Sequence, residues 1–391
     1  MATEKIASTA SVRAFTAIAV VALIIVTISL YFVFNYTGYA SLEGKQKVSI
    51  GAILPLTGSL SITGESLKKG MVMAAEEVNN RSLSQLEFFI ENSEGDAQKA
   101  VTAYHKLVSV SKVPIITDAY SRELAAIIPL SKQDGVVVLS QLALSSFIDK
   151  AGENVFKLAE KNIDLSQAIV KTMKIKQHAN ISFLILDDEY CVDAAQAMKE
   201  SLAKENIHLL VEEHFSNGAT DVRTQLFKIK DSKPEAVYIC GFYRDLSLAF
   251  KQAREIGLKT QFYTSTTVEN KEVIKAAGKE AVEGVIYSRL PYDCKKETTK
   301  VFCENFKARY GKEPDYPAAY GYDTIMIIIK AAERVIASKK SVNAENIQKE
   351  LLKIHDYHGA TGIIDFDEAG NVKRQVEVKT IRDGEFAPLN V

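Results

Sequence analysis

The side chains that could carry reaction chemistry are few and poorly spaced for it. Of six histidines, only His355 and His358 lie close together, and that pair reads as a solvent-facing loop, not a metal site. No HExxH run supplies two zinc-binding histidines and a general base. No GxSxG turn presents a nucleophilic serine. Neither a GxxxxGK[ST] loop nor a GxGxxG turn follows a strand-like run, so no backbone cradle for nucleotide phosphates is visible. Asp365, Asp367, Gly370 and Asn371 have the residue types of a calcium loop, but their spacing is wrong and the closing glutamate is missing. A polar turn is expected there. These residues leave little for catalysis and show no metal or cofactor motif, although active sites also assemble from residues distant in sequence.

The four cysteines form no CxxC pair. Cys191 and Cys240 sit in or beside apolar runs and are expected to be plain core residues. Cys294 and Cys303 stand in a polar stretch and could bridge in an oxidising compartment. Lys plus Arg is 48 and Asp plus Glu is 49, a formal net charge of -1. Without a basic excess, nucleic acid is not an expected partner.

Two series of alternating elements must position whatever site exists. Val48–Leu54, Leu86–Ile90, Val113–Ile116 and Val136–Ser140 read as strands. Helical stripes lie between them, over Gly64–Asn79, from Ala97 to Val108, and over Glu123–Gln133. A second series begins after Asp164. It has strands at Ile181–Leu186, Ile207–Glu213, Ala236–Cys240 and Gln261–Tyr263, and helices at Val192–Lys204, Val222–Ile229 and Leu246–Ile256. Helices follow at Thr298–Tyr310, Pro317–Ser338 and Ala344–Ile354, then short strands at Gly362–Phe366 and Val376–Ile381. Such βα units predict mostly parallel sheets with helices on both faces. Two such halves predict two doubly wound lobes. Ligands bind beyond the carboxyl ends of parallel strands, so the facing lobes predict a cleft.

The first residues differ from the rest. Residues 1–13 form a short tail. Ala14 to Phe34 is apolar except for Thr16, Thr27 and Ser29, and no charge occurs between Arg13 and Glu43. At ~1.5 Å per residue such a helix spans about 30 Å, a bilayer core. Tyr31, Tyr36 and Tyr39 cluster at its end, as interfacial aromatics do. Gly38 and Ala40 also make a passable signal-cleavage site, so 14–34 is either a transmembrane anchor or a long signal, with 35–46 as a linker. No cysteine follows the segment to carry a lipid.

From about residue 47 onward the chain resembles a known family, motif by motif and in order. The run from Ile50 to Gly58, followed by Gly64, Glu65 and Ser66, resembles the opening of the leucine-binding type of periplasmic binding protein. Gly241 to Asp245 and Lys251 to Leu258 resemble that family's second lobe. Glu283 with Gly284, Tyr310 to Pro314, Tyr320 to Asp323, Gly359 to Gly362, and Phe366 with Asp367 complete the set. The resemblance implies the type I periplasmic-binding-protein fold, an α/β architecture of two Rossmann-like lobes, here after an N-terminal transmembrane helix. It implies lobe one as 47–158 plus 289–358 and lobe two as 159–288 plus 359–391. The crossovers fall near Lys157–Lys161, Tyr287–Pro291 and His358–Thr361. It also implies a small-molecule ligand, an ABC transporter permease as partner, and no enzyme activity. The folded part is expected outside the cytoplasm, periplasmic or at the cell surface, attached to the membrane through the N-terminal helix. A ligand-sensing ectodomain signalling through a partner chain is the other reading.

The family's ligand clamp carries over incompletely. Members hold an α-amino acid's carboxylate with a serine after the third strand and a threonine after the fourth. Those positions are Ser121 and Leu144 here, with Leu142 and Ala143 just before Leu144. The acid that meets the ligand's ammonium aligns with Thr266. The second-lobe aromatics remain as Tyr190 and Phe242, with Tyr243 adjacent. Arg122 and Asp118 beside Ser121, or Glu269 near Thr266, could supply the missing charges. Otherwise a free α-amino acid meets a site matched to neither of its charges, and a less polar carboxylate or aromatic solute is favoured.

Overall fold

The computed structural model describes residues 26–27, 46–81, 84–289 and 292–389. The expected membrane segment 14–34 lies outside these residues except for Val26 and Thr27, which are helical. Among the described residues no helix is long and apolar enough to cross a membrane. The described residues 48–81, 86–289 and 292–389 gather into one compact unit, built on a five-stranded and a seven-stranded sheet with a separate two-stranded hairpin.

The first lobe runs β1 (Gln46–Leu54), α1 (Ser61–Arg81), β2 (Ser84–Asn92), α2 (Ala97–His105), β3 (Ile115–Asp118), α3 (Ser121–Asp134), β4 (Val137–Ser140), α4 (Ser146–Asp149) and β5 (Val155–Lys157). Its sheet order is β2-β1-β3-β4-β5. Pairing from β1 to β5 is parallel, with Ile50 opposite Ile115, Ile116 opposite Val138 and Val138 opposite Val155. Side chains alternate across a strand. Val48, Ile50 and Ala52 therefore enter the core on one face of the sheet, and Ile53 the core on the other.

The second lobe runs α5 (Asn162–Ile175), β6 (Asn180–Leu186), α6 (Glu189–Lys204), β7 (His208–Phe215), α7 (Arg223–Asp231), β8 (Ala236–Cys240), α8 (Tyr243–Glu255), β9 (Gln261–Thr264), α9 (Lys271–Ala277), α10 (Lys279–Val282) and β10 (Ile286–Arg289). The chain then returns to the first lobe with α11 (Glu297–Tyr310), α12 (Tyr316–Ala337), α13 (Ala344–Leu351) and the antiparallel hairpin β11 (Tyr357–Gly359) and β12 (Gly362–Ile364). It ends in the second sheet with β13 (Glu377–Arg382) and β14 (Glu385–Pro388), in the order β14-β13-β10-β9-β8-β6-β7.

α1 and α12 cross at two glycines. A Cβ on Gly70 would stand 1.9 Å from the Ala318 carbonyl oxygen, and one on Gly321 2.2 Å from that of Leu67. Only residues without a Cβ let these backbones meet. Near the far end of the same helix's first half, buried Asp323 accepts bonds from the Ala360 and Thr361 amides (2.7 and 2.8 Å) and from the Thr361 hydroxyl (2.6 Å). Two motifs distant in sequence are thus one structural joint.

The structure departs from the sequence expectations in several places. Ile364, Phe366 and Val372 pack in the first-lobe core, and Asn371 bridges to Lys157 at the edge of the first sheet. The segment from 359 to 372, expected in the second lobe, therefore belongs with the first, and the last crossover falls just before β13. β5, α5 and β10 are not among the expected elements; α5 does carry a helical stripe, Leu165, Ile169, Val170 and Met173, which is its buried face. Cys191 and Cys240 are not free core residues: they form a disulfide, with Cα atoms 5.5 Å apart. Cys294 and Cys303 are bonded as well. Asp367 accepts bonds from the Ala369 and Asn371 amides, closing a polar turn.

Candidate functional site

The carboxyl ends of the two sheets face one another across a cavity with about 920 Å³ of empty space, part of it continuous with solvent. All nine residues singled out from the sequence line it: Ser121, Arg122, Leu142, Ala143, Leu144, Tyr190, Phe242, Tyr243 and Thr266. Each sits where a strand hands over to the next element. Ser121 and Arg122 open α3, and Leu142, Ala143 and Leu144 follow β4. Tyr190 lies in the first turn of α6, Phe242 and Tyr243 head α8, and Thr266 follows β9.

Ser121 is buried, and Tyr120 before it makes no side-chain cap. The first-turn amides of a helix have no intrahelical acceptor, and the helix dipole favours negative charge there. The Ser121 hydroxyl, which accepts from the Ser145 amide at 3.4 Å, lies beside them at the cavity wall. Asp188 caps α6 by accepting from the Tyr190 amide at 3.1 Å. Tyr190 in turn is fixed by its hydroxyl, which donates to Ser265 at 2.6 Å.

The lobes touch across the cavity. The Tyr243 hydroxyl and Thr63 hydroxyl are 2.6 Å apart. Arg122 Nη1 stands 3.5 Å from Asp188 Oδ2, and its Nη2 donates to the Gly95 carbonyl at 2.7 Å. The Ser146 amide donates to Asp193 at 3.1 Å. The Tyr120 and Phe242 rings meet edge to face, 6.1 Å between centroids. Leu144, carried by the first lobe, packs into the second lobe's core. Buried Lys157 holds that segment, donating to the Leu144 carbonyl at 3.1 Å and pairing with Asp149 at 2.7 Å. This is a closed arrangement of the lobes.

Two of the suggested stand-ins for missing ligand partners are engaged elsewhere and do not line the cavity. Asp118 accepts from the Tyr120 amide and faces Glu123. Glu269 is paired with Arg289 and, at 2.9 Å, with Lys379. Sequence reasoning missed several lining residues: Thr63, Tyr120, Glu160, Tyr292, Tyr316 and Tyr320 among them. Tyr316 and Tyr320 could have been found as an i, i+4 pair opening a long helix. Glu160 lies in the crossover after β5 and carries no local signal. Burial raises the pKa of the Glu160 carboxyl, and a bond from its own backbone amide and then the charges of Arg374, Lys157 and Arg289 work against the rise.

A profile of the periplasmic binding protein family matches residues 47–385. The chain belongs to that family. Its relatives include a leucine-, isoleucine-, valine-, threonine- and alanine-binding protein from Pseudomonas aeruginosa, 23% identical over 86% of this chain and 90% of that one. A leucine-binding protein from Thermotoga maritima superimposes with a TM-score of 0.82 at 25% identity, covering 88% of this chain and 98% of the other. The branched-chain amino-acid substrate-binding protein of Streptococcus pneumoniae, solved with isoleucine, shares the fold with a TM-score of 0.78 at 22% identity, over 87% and 98% of the two chains. The family is one of solute-binding proteins, not of enzymes.

Proposed function

We propose that this binding protein captures a small amino acid or related carboxylate with an apolar or aromatic body and delivers it to an ABC-type importer. The observation that carries the ligand class is the cavity itself. An anion-favouring helix terminus with a buried serine hydroxyl opens into walls made of tyrosine, phenylalanine and leucine. The nine lining residues named above are the proposed contacts, with Ser121 at the carboxylate and Tyr190 and Phe242, which pack on each other with centroids 5.9 Å apart, forming one aromatic wall against the body. Names of relatives, which bind branched-chain and small amino acids, support the class but not a choice within it.

Closure of the lobes gives an importer a surface that differs between empty and loaded protein. The site of action is outside the cytoplasm, and residues 14–34 tether the chain to the membrane. Membranes carrying the full chain should retain it after a salt wash, and a mature protein cut near Ala40 would defeat the tether. The ligand is tested by thermal shift over amino acids, aliphatic carboxylates and aromatic acids, since a ligand binding only the native state raises stability by mass action. No stabilisation by any member at millimolar concentration would refute the proposed class.

A further inference from the structure

Glu160 has no part in the ligand clamp read from the sequence. It lines the cavity, yet its residue is only 4% exposed. Its carboxylate lies 3.4 Å from the Tyr320 hydroxyl, and its own backbone amide also favours the charged form. No ion pair joins it to any described cation. Of the cations whose charge reaches it, Lys157 and Arg289 are paired with other acids. Lys157 is bonded to Asp149 and the Leu144 carbonyl. Arg289 is paired with Glu269 and Glu377. Arg374 donates to the Thr361 carbonyl and lies over the Tyr320 ring, 5.3 Å from its centroid; its Nε and Nη2 have no partner among the described residues, and its charge offsets part of that of Glu160 without an ion pair between them.

A buried carboxylate without a cation is costly. Its surroundings suit a cation that arrives from outside. The charge of Glu160 acts on both Tyr190 and Tyr320, which places it among the cavity's rings. Tyrosine faces attract cations, most strongly where water is excluded. The two other acids considered for this task, Asp118 and Glu269, are committed elsewhere, and Asp188 already faces Arg122.

We infer that Glu160 receives an ammonium group of the solute, so that the cavity selects amino carboxylates over carboxylates lacking the amine. This rests on the solute-binding function proposed above. The acid lies in the crossover after β5, and that fixes where the amine must sit. Glu160 is thus a specificity-determining residue held on a hinge, where a bound cation also favours the closed lobes.

The test is calorimetric titration of the full chain with matched pairs: phenylalanine against 3-phenylpropanoate, and leucine against 4-methylpentanoate. Wild-type protein is expected to prefer an amine-bearing member by about tenfold or more, the order of one charge-assisted hydrogen bond. In Glu160→Gln that preference should collapse toward unity while the deaminated partner keeps or gains affinity. Equal or stronger wild-type binding of the deaminated partners overturns the role of Glu160 and leaves the carboxylate site standing. An undiminished preference in Glu160→Gln does the same. Binding of neither member of either pair overturns the amino-carboxylate assignment, and a silent thermal-shift panel beside it would remove the proposed function as well. The wild-type preference is read without any variant, so a poorly folding Glu160→Gln cannot shield the inference.

Discussion

Replacing Glu123 by glutamine should flatten the pH dependence of stability. Glu123 and Asp118 are both fully buried beneath the turn that presents Ser121 and Arg122. Glu123 Oε1 accepts from the Ser93 hydroxyl at 2.8 Å, and Asp118 Oδ1 accepts from the Tyr120 amide at 2.8 Å. The remaining oxygens, Asp118 Oδ2 and Glu123 Oε2, find no other donor. Two carboxyls in a dry site hold a proton between them. Burial, and then the neighbouring charge of Glu123, lifts Asp118 well above the usual carboxylate range. Burial pushes Glu123 up to about 7. Its bonds to Asp118 and Ser93 and the charge of Arg122 oppose that rise, and the charge of Asp96 adds to it. A carboxyl raised in the folded state binds its proton more tightly there than in the unfolded chain. Its contribution is complete below pH ~4.5 and is lost as pH climbs through about 7. The change from the ordinary 4.5 to about 7 corresponds to roughly 3 kcal/mol, or several degrees of melting temperature for a chain of this size. Glutamine keeps the acceptor for Ser93 and offers an N–H to Asp118, so the variant should lose much of the slope. Thermal melts of both proteins between pH 5 and 8 measure it. Parallel profiles for wild type and Glu123→Gln would refute the shared-proton argument.

Tyr243→Phe removes the bond to Thr63 that spans the lobes. It should weaken binding of the best ligand in the thermal-shift panel by about 2- to 12-fold and leave the melting temperature of the free protein unchanged, whereas a lowered free melting temperature at constant affinity would mean the contact is not specific to closure. The double variant Cys191→Ala and Cys240→Ala should lose about 2–4 kcal/mol in denaturant unfolding, and wild type should lose at least as much under reducing conditions, which open Cys294–Cys303 as well; a double variant as stable as oxidised wild type would show that the Cys191–Cys240 bond does not form in solution. Lys157→Met strands the Leu144 carbonyl and Asp149, which is itself 13% exposed. A loss of roughly 2–4 kcal/mol is expected, and a loss under ~1 kcal/mol would show that the segment after β4 is held by other contacts.

Much of the site was legible because its parts lie at strand ends, and strand ends are read from local pattern. The alternation of apolar residues in Val48–Leu54 and the helical stripe from Leu67 to Val78 reflect side-chain directions fixed by each element's own geometry. Once two parallel series are recognised, the turns after their strands must converge, and Ser121, Leu144, Tyr190, Phe242 and Thr266 converge with them. The expected chemistry of an isolated turn could be read only as far as its neighbours in sequence. Asp118 and Glu269 looked available beside the site; the fold turns one toward Glu123 and commits the other to Arg289 and Lys379. Cys191 and Cys240 looked like core residues because each is apolar in its own segment, and the packing of α6 on β8 brought them together. The hairpin after residue 357 carried no mark of which sheet it would join; burial of Ile364 and Phe366 against the first decided it. Glu160 is the extreme case. A single acid in a crossover has no periodicity, and its burial among Tyr190 and Tyr320 exists only when both lobes and the returning helix α12 are in place. Local sequence sets the direction of a side chain, but the energy of a buried charge depends on everything the tertiary structure packs around it.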